Sequence, residues 1–130
     1  MRTVVVFLVA LLVASCADPS GGGTPGPRIE VRTEFDDSGG VYIEGFLSYV
    51  RVRGPGIDEE IELEVPESAS FELEGGGTYV MTSWVRSCAG NCGFLDPPSD
   101  RCEDMFAVGE GATLRVLITY RAGTPCEIEG

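Results

Sequence analysis

From Arg28 onward the chain alternates apolar and polar residues in short bursts. "RIEVRTEF" (28–35) sets Ile29, Val31, Thr33 and Phe35 against charged neighbours, and "EEIELEV" (59–65) sets Ile61, Leu63 and Val65 against Glu60, Glu62 and Glu64. "FELE" (71–74) repeats the pattern. Successive side chains of an extended strand point to opposite faces, so a period of two marks strands with one buried and one wet face. No stretch sustains apolar residues at helical spacing. Further runs rich in β-branched and aromatic residues are "VYIEGFLSYVRVRG" (41–54), "TYVMTSWVRSC" (78–88), "CEDMFAV" (102–108) and "TLRVLITYR" (113–121), separated by glycine-rich turns. Gly45, inside the second run, marks a bulge or bend. Seven short runs with frequent turn signals predict an all-β sandwich of about seven short antiparallel strands. The runs 102–108 and 113–121 read as a hairpin through "GEGA" (109–112).

A second feature is "SCAGNCGFLDPPSDRC" (87–102), with three cysteines, two adjacent prolines and the sole asparagine of the chain. Whether these thiols do chemistry or cross-link depends on the compartment, which the N-terminus addresses. Met1-Arg2-Thr3 precedes an unbroken apolar run, "VVVFLVALLVA" (4–14). That run is shorter than the about 20 residues a membrane-spanning helix needs, and it has the form of a secretory signal peptide. It ends in "VASC", Val13-Ala14-Ser15-Cys16, which resembles the lipobox of bacterial lipoproteins. The resemblance implies that residues 1–15 are removed and that Cys16 is acylated and becomes the mature N-terminus. The following "ADPSGGGTPGP" (17–27) reads as a flexible linker. As a coil, its eleven residues would span roughly 18 Å, placing a folded domain (28–130) close above a bilayer. The expected location is therefore extracytoplasmic, with the membrane as a partner through the lipid anchor.

Composition narrows the function. Of the nine basic residues one, Arg2, falls in the leader, so the mature side chains sum to −13. That balance argues against nucleic-acid binding, which relies on basic groups displacing counterions from phosphates. There is no histidine, so Ser-His-Asp and Cys-His catalysis and histidine-containing zinc sites are excluded. A carboxylate-pair hydrolase is not excluded, though about 100 residues rarely hold both a core and a sugar cleft. Eight acids and no base occur between Asp58 and Glu74; the reading given to them is a solvated strand exterior that protects a sheet edge from pairing.

With Cys16 lipidated, Cys88, Cys92, Cys102 and Cys126 remain, an even count that reads as two disulfides in an oxidising compartment. The separation of Cys102 from Cys126 does not suit two zinc knuckles. Adjacent strands running in alternate directions would put Cys88, Cys102 and Cys126 at one end of the sandwich, with Cys92 in the loop above. Of three possible pairings, Cys88–Cys102 with Cys92–Cys126 is the preferred one, because it closes the loop at its base and clips the C-terminal tail. Such a loop would be rigid, and Asn91, Phe94, Leu95 and Asp96 are its candidate contact residues.

The segment "GGTYVMTSWVRSCAGNCGFLDPPSDRC" resembles a motif recurring in actinobacterial secreted proteins and lipoproteins. "FELEGGGTYVMTSW" is similar to the glycine turn leading into a strand in transthyretin-like, carboxypeptidase-regulatory-type sandwiches. The resemblance implies a single immunoglobulin-like or transthyretin-like sandwich acting as an accessory module, with no catalytic residue. No catalytic, cofactor or metal residue is assigned. The expected role is a non-enzymatic binding or structural module of the envelope with a protein or glycan partner. The alternatives are a protease-inhibitor-like module using the stapled loop as bait, a calcium-dependent adhesion module, and a small carboxylate-based hydrolase.

Overall fold

The computed structural model describes residues 23–38, 45–88 and 92–130. The leader, Cys16, the first part of the linker, residues 41–44 and Asn91 lie outside them. Among the described residues there is no helix. Eight strands run in the order β1 (Arg28–Phe35), β2 (Phe46–Gly54), β3 (Ile57–Leu63), β4 (Ser68–Glu72), β5 (Gly77–Ser87), β6 (Ser99–Val108), β7 (Thr113–Tyr120) and β8 (Glu127–Glu129). They form two four-stranded sheets, β4-β1-β7-β8 and β3-β2-β5-β6, packed as a sandwich.

The period of two is what fills the core. Ile29, Val31 and Thr33 of β1 are buried, as are Val50 and Val52 of β2, Tyr79, Met81 and Val85 of β5, and Val116, Ile118 and Tyr120 of β7. Their sequence neighbours lie on the outer faces of the sheets, most of them at least partly exposed, though Thr82 is buried. Three inward Ser/Thr hydroxyls sit in this apolar layer, and each is satisfied, Thr33 by donating to the Glu67 carbonyl at 3.0 Å. Ser48 donates to the Leu63 carbonyl at 3.0 Å. Ser83 donates to the Tyr49 carbonyl at 2.8 Å and lies 2.6 Å from the Tyr120 hydroxyl. Because the Ser83 proton is already committed, Tyr120 is the donor, and the bond joins the two sheets. Buried polar groups are tolerated where they are paired in this way.

Three sequence expectations change. The strand count rises to eight because β8 is a three-residue strand added to the edge of the first sheet. The strands are not all antiparallel: β1 pairs with β7 in parallel over its whole length, from Arg28↔Thr113 to Phe35↔Tyr120. Consequently β6 and β7 do not form a hairpin. The segment 109–112 instead crosses from the second sheet to the first, closed by Ala112 N–H to the Gly109 carbonyl at 3.1 Å, with Gly111 at φ +67°. A glycine-rich turn reads the same in sequence whether it returns a strand to its neighbour or passes it to the opposite sheet. Gly45 lies just before β2, where its carbonyl accepts the Cys88 N–H at 3.0 Å.

This connectivity gives the sandwich two distinct poles. Pro27 enters β1 beside the turns 54–57, 73–77 and 109–112, so the linker leaves from that end. All four described cysteines gather toward the other end, along a β1 about 26 Å long at about 3.3 Å per residue.

Candidate contact surface at the cysteine pole

The loop between β5 and β6 is built on the end of β5. Cys88, 5% exposed, forms an isolated antiparallel bridge with Leu95, and Asp96 N–H returns to the Ser87 carbonyl at 2.9 Å. Arg86 reaches across from the strand: its Nε donates to the Asp96 carbonyl at 2.8 Å and its Nη2 to the Leu95 carbonyl at 3.3 Å. A guanidinium fork that binds two successive carbonyls fixes the direction of the returning chain. The Cys88–Cys92 disulfide closes the turn, with Cα atoms 4.8 Å apart. Phe94 is 87% exposed at the tip. The candidate residues Phe94, Leu95 and Asp96 therefore sit together, Leu95 half-buried on its bridge and Asp96 exposed. Asn91 lies outside the described residues.

The disulfides are Cys88–Cys92 and Cys102–Cys126, which corrects the pairing 88–102/92–126 preferred from the sequence. The reason is where β6 begins. It starts at Ser99, so Cys102 is inside the strand, opposite Ser83, and not at the base of the loop. Cys88 lies five residues beyond Ser83 along β5, roughly 16 Å away at 3.3 Å per residue, whereas bridged Cα atoms are about 4.4–6.8 Å apart. Cys102 is directed toward the core and meets Cys126, so this bond links the second sheet to the chain entering β8 of the first.

A β-bulge makes that meeting possible. Between Ser83↔Cys102 and Val85↔Ser99, β6 carries one residue more than β5. Asp100, in the bulge, takes φ +52°, and its carbonyl accepts the Cys126 N–H at 3.1 Å. Asp is among the few residues with a side chain that visit this left-handed region. Beneath the pole lies an aromatic layer, with Phe35 and Phe46 centroids 5.5 Å apart and Phe46 and Tyr120 6.0 Å apart. The ends of β1 and β7 are clamped by Arg121 Nε on Asp36 Oδ2 at 3.0 Å. The Ser38 side chain first, then this guanidinium and the Ser38 backbone N–H, hold the Asp36 carboxyl well below the usual carboxylate range.

Chemically, the pole offers an apolar tip on a cross-linked base. Among the described residues no group of three or more His, Cys, Asp or Glu side chains converges as a metal site, and Asp96, Asp100 and Asp104 are not brought into one. A groove of about 820 Å³ lies away from this pole, over the outer face of the first sheet. Of its three lining carboxylates, Glu30, Glu34 and Glu129, the first two are each paired with an arginine, Arg115–Glu30 at 3.2 Å and Arg32–Glu34 at 3.0 Å.

A second feature was not singled out from the sequence. Tyr49 and Trp84 stack on the outer face of the second sheet, with centroids 5.7 Å apart and ring planes within 6°. Alternation alone puts each on an outer face; only the β2–β5 register makes them neighbours. No protein-family model matches the chain, and no curated protein matches it in sequence. What stands is the class, an all-β sandwich with two disulfides, whose cross-links are consistent with an extracytoplasmic location.

Proposed function

We propose that the chain is a non-enzymatic, lipid-anchored binding module of the bacterial envelope that presents its 88–98 loop to a protein partner. The observation that carries the reading is Phe94, 87% exposed on a loop closed by Cys88–Cys92. It supports a binding role because a large apolar side chain left in water on a braced loop loses little freedom when a partner covers it. The relation of the two poles adds support. With Cys16 acylated, the linker would leave from the pole opposite the loop, so the tip would face away from the membrane. The transthyretin-like resemblance of the glycine turn and the absence of histidine favour a binding module over a hydrolase.

The test exchanges residues 93–98 for Gly-Ser in the full lipidated chain. Envelope proteins cross-linked to the wild type are expected to be lost from the variant, while circular dichroism and melting show the core intact. Capture of the same proteins by both chains would reject the loop as the contact site. Intact mass spectrometry tests the anchor separately: an unmodified Cys16 would remove it and leave the loop proposal standing.

A further inference from the structure

Four strands lie at sheet edges, β3 and β6 in the second sheet and β4 and β8 in the first. An edge strand presents unpaired backbone N–H and C=O groups, which pair with another chain unless something prevents it. Three of the four are protected. Glu59 of β3 pairs with the buried Val52, so the register directs it inward, yet it stays exposed. Asp104 of β6 likewise pairs with the buried Met81 and is exposed, and its carboxylate accepts the Met105 N–H at 2.7 Å. An added strand would trap such an inward-directed charge against apolar neighbours. β6 also carries the bulge at Asp100, and β8 is only three residues long.

β4 has none of these devices. Its five residues, Ser68–Glu72, pair with β1 in unbroken register, with Ala69 half-buried and Phe71 buried on the inward row. Thr33 N–H binds the Glu67 carbonyl and Leu73 N–H the Pro27 carbonyl, each at 2.9 Å. The odd-numbered residues of this segment therefore turn their backbone groups to β1. Ser68, Ser70 and Glu72 turn theirs the other way, are exposed, and meet no further strand among the described residues. Strand addition at such an edge gains affinity from main-chain hydrogen bonds and specificity from alternate side chains.

Two observations select what would pair there. Inward positions of an added strand would extend the core cluster past Ala69 and Phe71, which favours apolar side chains. Charge sets the outward positions. The eight acids between Asp58 and Glu74 all fall on β3, β4 and the segments beside them, and among the described residues only Asp58 of the eight is ion-paired, with Arg51 at 2.7 Å. β3 also touches β4 in space, so the margin that carries the free edge is acidic throughout. A second copy, at net −12, would be repelled there, whereas a basic segment would be drawn in. Ser68 and Ser70 are short and line the groove of the first sheet, so long side chains opposite them can lie over it.

We infer that β4 is a docking edge, which takes an extended protein segment of alternating apolar and basic residues as a fifth strand of the first sheet. The acids of 58–74 then act as a filter, excluding acidic chains from the edge and admitting basic ones. The site is separate from the 88–98 loop and does not depend on it.

The probe is a capped seven-residue peptide of alternating arginine and valine, titrated into the full chain by calorimetry, with amide hydrogen exchange read by NMR. Bound peptide is expected to slow exchange at Ser68, Ser70 and Glu72 roughly tenfold, while Ala69 and Phe71, already bonded to β1, change little. Ser70→Pro removes a donor from the free edge and none from the β1 ladder, a place where an edge strand accepts proline. It should abolish binding and leave the circular dichroism spectrum unchanged; should it unfold instead, the exchange pattern of the wild type still decides. Glu72→Gln should weaken binding roughly two- to threefold, the effect of one exposed charge. Phe94→Ser should leave binding unchanged, and a peptide with glutamate in place of arginine should not bind. Peptide binding that leaves the three amides unprotected, or that survives in folded Ser70→Pro, would reduce the attraction to charge alone and overturn the proposal. So would the absence of binding, or a sedimentation profile showing a dimer that Ser70→Pro dissociates, which would give the edge to a second copy of the chain.

Discussion

The two poles of the sandwich are closed by different physics. At the pole where the chain enters, the connections are tight turns joined to one another by hydrogen bonds, some of them between distant segments, as with Arg28 N–H on the Ala112 carbonyl at 3.0 Å. Gly54-Pro55-Gly56-Ile57 turns β2 into β3, with Pro at the first corner and Gly56 at the second with φ +73°, as a type II turn requires. Gly76 N–H binds Glu110 at 2.8 Å, and Tyr79 spans the corner by donating to the Gly75 carbonyl. At the opposite pole the contacts join segments far apart in sequence: Cys102–Cys126, Asp36–Arg121 and the Ser83–Tyr120 hydrogen bond. At this pole the long-range closures are covalent and charged as well as hydrogen-bonded, which offsets more of the chain entropy that closing long segments costs. The pole carrying the exposed tip is also the one that is cross-linked.

The largest expected effect compares the two disulfides. Cys102–Cys126 encloses a loop defined by a sequence separation of 24, whereas Cys88–Cys92 has a separation of 4. The chain-entropy model gives roughly 3–4 kcal/mol for the first and about 2 kcal/mol for the second. Urea unfolding of C102S/C126S and C88S/C92S should show that order. The reverse order would mean that the small loop, not the link between sheets, holds this pole together.

The entry pole has a matching weak point at Gly54. A Cβ there would overlap the ring of Tyr79, which is fully buried and tied by its hydroxyl, so neither partner can yield easily. Gly54→Ala should cost roughly 1–3 kcal/mol, the usual price of overpacking. It should do so without changing the titration of thiols, since the disulfides are at the far end. A neutral Gly54→Ala would show that the turn pole is slack and would reverse the comparison.

These contrasts explain what was legible in the sequence. Where burial alone decides, alternation sufficed: Ile29, Val31 and Thr33 point inward as the pattern in 28–35 requires, and β1 begins and ends where it was read. Local turns were legible too, since Pro55-Gly56 carries its own backbone preference. What was not legible was pairing between distant segments. Nothing in 113–121 says that it lies parallel to β1, because parallel and antiparallel partners accept the same side chains. The disulfides failed for a related reason: β6 runs three residues further back than the apolar pattern reached, over Ser99, Asp100 and Arg101, which are polar and bulged. The composition of 87–102 marked the cysteine loop as a special segment, but its internal bond depended on where that strand began. β8 was missed because three residues, Glu127–Glu129, carry too short a period to register.

The smallest effect concerns the ion pair at the cysteine pole. Asp36 follows β1 and Arg121 follows β7, so their contact seals the ends of the two parallel strands, reinforced by Asp36 N–H on the Tyr120 carbonyl at 2.8 Å. The folded carboxyl is held well below the usual range, first by Ser38 and then by Arg121. A depressed folded pKa means that the unfolded chain binds the proton more readily. The stabilisation is therefore fully present above the ordinary aspartate value of about 3.9 and fades as pH falls below it. Asp36→Asn should lower the melting temperature slightly at pH 7, and the gap to wild type should narrow progressively from about pH 4 downward. Asp58, whose pKa is lowered by Arg51 within a single hairpin, provides the local counterpart. Asp58→Asn should show the same pH shape with a smaller gap at pH 7, because the β2–β3 turn holds that hairpin closed without the ion pair. Equal gaps would show that the long-range clamp contributes no more than a local pair, and that the disulfide and the aromatic layer alone distinguish this pole.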